Sequence, residues 1–163
     1  MNRTMASLLS AGAVALAAWA GNRAGPQHPR EAIWYASLKK PSFTPPGAVI
    51  GPAWMTLDVL LAFSGARLMT RPASGARAAA LLFWFLNLAG VAGYPWIFFR
   101  EKKLGASAVV VAGMLASARA AVVTAGKVDR TAAIVGMPLI GWLAFAGLLS
   151  EELWRRNPST SAS

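Results

Sequence analysis

The feature that most constrains this chain is the recurrence of apolar segments long enough to cross a lipid bilayer. A helix rising 1.5 Å per residue needs about 20 mostly apolar residues to span a hydrocarbon layer of ~30 Å. Five stretches, 5–21, 47–69, 78–99, 104–126 and 131–153, meet or approach that length. Only 13% of the 163 residues are charged and 56% are hydrophobic, against roughly 25% charged in an average soluble domain. In hydrocarbon every backbone N–H and C=O must be satisfied within the protein, which favours helices. The expected fold is an all-α integral membrane protein. It is a five-transmembrane-helix bundle with an amphipathic lid connector between helices 1 and 2, forming one domain over residues 1–157 with a short polar tail at 158–163.

Several functional classes fall away on composition. There is no cysteine, so thiolate metal sites are excluded. The lone His28 lies in a polar connector beside Pro26 and Pro29 and reads as a solvated loop residue, so no metal site is expected. No catalytic triad can be assembled from these residues. The net charge of +10 does not point to nucleic acid, because the Lys and Arg residues are spread over segment ends, where anionic headgroups account for them. The first segment, with Arg3 ahead of an Ala-rich apolar run, has an alternative reading as a secretory signal. Retention as a span is favoured because Trp19 and Asn22-Arg23 form an interfacial anchor.

With five spans the two termini face opposite sides. One side carries Arg3, Arg71, Arg77, Lys127 and Arg130. The other carries Arg23, Arg30, Lys39, Lys40, Arg100, Lys102, Lys103, Arg155 and Arg156. The second set is richer in positive charge, which places the connector and the carboxyl terminus in the cytoplasm.

The connector is the most specific part of the chain. Its sequence WYASLKKPSFTPPGAVIGPAW runs from Trp34 to Trp54. Trp34, Tyr35 and Leu38 form an amphipathic turn that ends where Pro41 forbids helix continuation. Pro45 and Pro46 suit the first turn of the next helix, where a missing N–H costs nothing. The spacing of Trp34-Tyr35, Leu38, Lys40-Pro41, Phe43, Pro45-Pro46 and Trp54 resembles the signature of the translocator protein family, also called tryptophan-rich sensory proteins or peripheral-type benzodiazepine receptors. Further along, Asn87, Tyr94 and Phe98-Phe99 look like that family's third helix. Pro138, Trp142, Leu148, Trp154 and Asn157 look like its fifth.

The resemblance implies a ligand cavity between the helices under the connector, binding protoporphyrin and other tetrapyrroles with no cofactor required. Independently of the resemblance, the small-residue runs from Gly141 to Gly147 and from Ala106 to Ala112 permit close helix contact and a homodimer within the lipid bilayer, and no nucleic acid partner is expected. The ligand-contacting set is expected to be Trp34, Tyr35, Phe43, Pro46, Trp54, Asp58, Asn87, Tyr94, Arg119, Trp142 and Phe145, of which Asp58 and Arg119 are not typical of the family and enter through their depth in the helices. In some relatives slow light-dependent porphyrin breakdown depends on tryptophans at the positions of Trp54 and Trp142. The chain departs from the pattern at Phe43, where Trp is usual, at Val91 and Tyr94, and at Asp58, where an aromatic is usual. The closing AGLLSEELWRRN lacks an intact sterol-recognition motif, which argues against sterol binding.

Two expectations follow from depth along the helices. Trp54 and Trp142 lie about seven and about twelve residues in from the connector face, a difference of roughly 7 Å, close enough for one flat macrocycle to touch both. Asp58 and Arg119 differ in depth by about 6 Å, so the guanidinium is a candidate partner for a carboxylate that is costly in the membrane. Arg67 is expected to snorkel to the interface unpaired, and Trp84 and Trp96 to anchor at lipid or interface. The alternatives to tetrapyrrole binding are a small secondary transporter using Asp58 and Arg119 as a relay, or a regulatory membrane scaffold. An Ala- and Gly-rich chain without an organelle transit peptide leans towards a bacterial membrane.

Overall fold

Apolar periodicity, caps and prolines together determine where the elements begin and end. The structure, a computed structural model, describes residues 1–158; residues 159–163, most of the expected polar tail, lie outside the described residues. In chain order the elements are α1 (Arg3–Asn22), α2 (Pro29–Ser37), α3 (Gly47–Met69), α4 (Gly75–Pro95), a π-helical turn (Trp96–Arg100), α5 (Leu104–Gly126) and α6 (Arg130–Arg156). Taking α4 and the π turn as one segment, five helices are long and apolar enough to span a membrane. No strand occurs among the described residues.

Three helices start on side-chain caps. Asn2 accepts from the Met5 N–H at 2.8 Å, Ser74 from Arg77 at 3.1 Å and Asp129 from Ala132 at 3.0 Å, each satisfying an amide that the helix leaves free. Pro46 is the N-cap of α3 and Gly47 its first residue, so the proline pair precedes the first turn instead of forming it. Likewise α2 is a full helix beginning at Pro29, longer than the turn expected around Trp34. His28 caps it and is half-buried rather than solvated.

The spans close into a ring. α1 packs on α3 and α4, α4 on α5, α5 on α6, and α6 back on α3. The core inside holds Val14, Leu57, Leu61, Trp84, Leu88, Met114 and Leu143. Two glycines set the closest approaches. A Cβ at Gly65 would meet Ser10 Oγ and the Trp84 ring at 2.4 and 2.6 Å, and one at Gly21 would meet the Val91 carbonyl at 2.6 Å. Pro95 has no N–H to offer that same carbonyl four residues earlier, and the helix widens into the π turn directly after it, a recognised response to an interrupted ladder. Trp96 Nε1 then donates to the Ala20 carbonyl at 2.9 Å, tying α1 to this irregular end of the third span.

Candidate ligand site beneath the connector

Two aromatic groups occupy the connector end of the ring. The inner one is a continuous row. Trp54 on α3 meets Trp142 on α6 edge to face, with centroids 6.2 Å apart and planes at 81°. Trp142 meets Phe145 at 5.8 Å, and Phe145 meets Phe43 of the connector at 6.2 Å. Both tryptophans are half-buried and pack against the core. The Trp142 Nε1–H is buried without an acceptor, so the row keeps an unused donor.

The outer group fastens the connector. Trp34 and Tyr35 stand edge-on to Phe98 at 5.6 and 6.1 Å, and Tyr94 stacks on Phe98 at 5.5 Å. Leu38 is buried with Phe98, Leu104 and Leu153. Tyr94 Oη and Ser150 Oγ share a hydrogen bond of 3.2 Å. The rest is polar. Glu31, 5% exposed, lies 3.4 Å from Arg100 Nε, and Arg100 Nη2 donates to the Arg23 carbonyl at 3.1 Å. At the other end of the connector the Asn157 side chain bonds both the N–H and the carbonyl of Lys39. The amphipathic segment is thus a strap pinned at both ends across the bundle mouth.

Of the residues singled out in the sequence, Trp54, Trp142, Phe145 and Phe43 form the inner row and Trp34, Tyr35 and Tyr94 belong to the outer group. Pro46 caps α3 three residues beyond Phe43. Asp58 lies one turn beyond Trp54 on α3, half-buried, with a buried Oδ1 that has no hydrogen-bond partner.

Asn87 lies elsewhere. It is 1% exposed, and its Nδ2 donates to Ser117 Oγ at 2.7 Å and to the Phe83 carbonyl at 3.0 Å. It lines a cavity of about 20 Å³ with Ser64 and Trp84, room for about one water.

Three expectations about side chains are corrected. Arg119 is exposed on α5 and makes no ion pair with Asp58. The ring explains this, because α6 intervenes between α3 and α5, and matching depths do not bring non-neighbouring helices into contact. Trp84 is not at the lipid surface but 2% exposed, with Nε1 donating to the Leu61 carbonyl at 3.0 Å. Trp96 does fit an interfacial place: it is 41% exposed, with the Arg100 guanidinium 5.4 Å from its ring.

Arg67 is paired. Its Nε lies 3.1 and 3.0 Å from the two carboxylate oxygens of Asp129, and Arg71 Nε binds the same group at 2.8 Å. Burial pushes the Asp129 carboxyl up, but the hydrogen bonds from Arg67, the Ala132 N–H and Arg71, with the charge of Arg67, outweigh it and hold the pKa at about 2. This clamp joins α3 to the start of α6 at the end opposite the connector. Sequence reading passed over Asp129, although it is the only acidic residue among the basic ones of that face.

A ring of five spanning helices strapped by an aromatic connector defines a multi-pass integral membrane protein. The sequence model of the TspO/MBR family matches residues 9–155. The chain is similar to the protein CrtK of Rhodobacter capsulatus, 33% identical over 126 residues that cover 77% of this chain and 79% of that protein. It is similar to the human translocator protein, 33% identical over 127 residues, 76% of this chain and 75% of the relative. It is also similar to a tryptophan-rich sensory protein of Cereibacter sphaeroides, 29% identical over 124 residues covering 76% and 77%. The chain belongs to the TspO/MBR family.

Proposed function

We propose that this protein binds tetrapyrroles, protoporphyrin and heme precursors among them, between Trp54 and Trp142 beneath the connector, and that binding serves their sensing, movement or slow light-dependent breakdown. The observation that carries the reading is the contact between those two indoles inside the ring. Indole offers a broad π face to a macrocycle and one N–H to a carbonyl or carboxylate, and the Trp142 N–H is unused. Because each indole edge now fills the space against the other, a ligand must part them. The Phe43 end of the row lies on the connector and is 47% exposed, which makes it the natural way in. A transporter built on an Asp58–Arg119 relay loses its second member, since Arg119 lies outside the ring.

The protein is read as a homodimer in a bacterial membrane, with connector and carboxyl terminus in the cytoplasm. Support for a dimer comes from the outer face of α4 and α5, where Gly90, Gly93 and Gly113 line a groove of about 370 Å³, the kind of small-residue surface that lets helices approach closely.

The test is tryptophan fluorescence during titration with protoporphyrin dimethyl ester. Quenching with a Kd in the micromolar range, near −8 kcal/mol, is expected. Trp54→Phe and Trp142→Phe should each weaken it while Trp96→Phe does not. Unaltered binding in both of the first two variants would sink the assignment.

A further inference from the structure

The helix face that carries Trp54 also carries a carboxyl. Asp58 follows Trp54 by one turn on the same side of α3, midway along the helix. Its Oδ1 is buried and unpartnered, and no cation lies within ion-pair distance of it among the described residues. Sequence depth offers Arg119 as its neutralising partner, and the ring removes Arg119 from that role. The other basic side chains belong to the two ends of the bundle or to the connector.

An acceptor left without a donor in a low-dielectric interior is costly, and such a group is retained chiefly where something else completes it. A positively charged nitrogen completes a carboxylate that stands one helical turn from an indole. The aromatic faces attract the cation and the carboxylate pairs with it. A carboxylate on the ligand would meet like charge at the same place and gain nothing from a guanidinium.

We propose that Asp58 sets the order of affinity at the Trp54–Trp142 site by ligand charge, so that tetrapyrroles and other aromatic ligands with a protonated amine bind more tightly than neutral ones, and those with free carboxylates bind but more weakly than their esters. This rests on the proposed ligand site and ranks the ligands that it accepts.

Three probes with one macrocycle separate the two claims: protoporphyrin diacid, its dimethyl ester, and its bis-amide bearing pendant ammonium groups. Each is titrated against the full chain in phosphatidylcholine nanodiscs, read by tryptophan quenching. Asp58→Asn should weaken the ammonium probe about tenfold or more relative to the ester, the scale of one charge-assisted contact. The same change should strengthen the diacid relative to the ester, and Asp58→Glu should restore the parental order. If Asp58→Asn leaves the ammonium-to-ester and diacid-to-ester ratios unchanged, charge selection is overturned. It is equally overturned if that variant loses the neutral ester along with the others, because Asp58 is then only holding the bundle. Failure of all three probes to quench the parent is a different result: it removes the site itself, and this inference with it.

Discussion

The Asn157 side-chain amide bonds the backbone of Lys39 twice, accepting its N–H at 2.9 Å and donating to its carbonyl at 3.1 Å, while the same Nδ2 also reaches the Leu153 carbonyl at 2.8 Å. One residue therefore caps α6 and pins the connector two residues beyond the end of α2 at Ser37. Replacing it should free the strap without unfolding the ring. Asn157→Ala is expected to cost about 1–2 kcal/mol, from buried backbone groups left unpaired. Hydrogen exchange at residues 34–41 should accelerate while exchange in α5 is unchanged. Equal exchange in the strap of parent and variant would contradict this role.

The Asp129 clamp gives a pH dependence whose sign follows from its depressed pKa. A carboxyl that titrates at about 2 when folded and near 3.9 when unfolded contributes stability that is fully present above about pH 4. That stability is lost as pH falls from 4 towards 2. The size is of order 1–2 kcal/mol, allowing for solvent around Arg67 and Arg71. Melting of the detergent-solubilised protein between pH 5 and pH 2.5 should show the loss, and Asp129→Asn should remove most of this dependence along with part of the stability at pH 7. A variant with the parental slope would assign the acid sensitivity to other carboxyls.

How much of this was legible in the sequence depends on the range of the interaction. The five spans were, because hydrocarbon demands about 20 apolar residues in a row and nothing distant changes that demand. The connector was legible as well, because its aromatic and proline spacing is local. Trp54 and Trp142 were placed at compatible depths, and since α3 and α6 are neighbours the depth argument succeeded. The same argument failed for Asp58 and Arg119, since depth along a helix carries no information about ring order. Trp84 was misplaced for a related reason. An aromatic in an apolar run has no periodic signature separating lipid from core, and only the approach of Gly65 and the Leu61 carbonyl shows which it meets.

The glycine approaches predict which small residues resist enlargement. A methyl at Gly65 collides with Ser10 Oγ and with the fixed ring of Trp84, and one at Gly21 with the Val91 backbone carbonyl. Gly12 and Gly141 have nothing within 4 Å. Gly65→Ala and Gly21→Ala should each destabilise by about 1–3 kcal/mol, the usual cost of overpacking. Gly12→Ala and Gly141→Ala should be neutral or stabilising, since alanine is the better helix former. Thermal melts of the four variants under one detergent condition check the ranking, and a Gly141→Ala loss as large as that of Gly65→Ala would show that this face is packed against something else.

The separation of Asp58 from Arg119 makes a last prediction about additivity. Had they formed an ion pair within the bundle, removing either alone would strand the other, and removing both would recover stability. In the ring Arg119 lies on the exposed side of α5, and α6 stands between α5 and α3. Arg119→Leu should then leave the melting temperature unchanged or raise it, because an aliphatic side chain replaces a cation on an apolar helix. Asp58→Asn should act alone, through its own unpartnered oxygen. The double variant should equal the sum of the two within about 0.5 kcal/mol, as distant sites do. A coupling of about 1 kcal/mol or more would place the two side chains in contact, which requires either a different order of helices around the ring or a second copy of the chain bringing its Arg119 to Asp58. Repeating the cycle over a hundredfold range of protein-to-detergent ratio separates these. Coupling within one chain does not change on dilution, whereas coupling across a dimer fades.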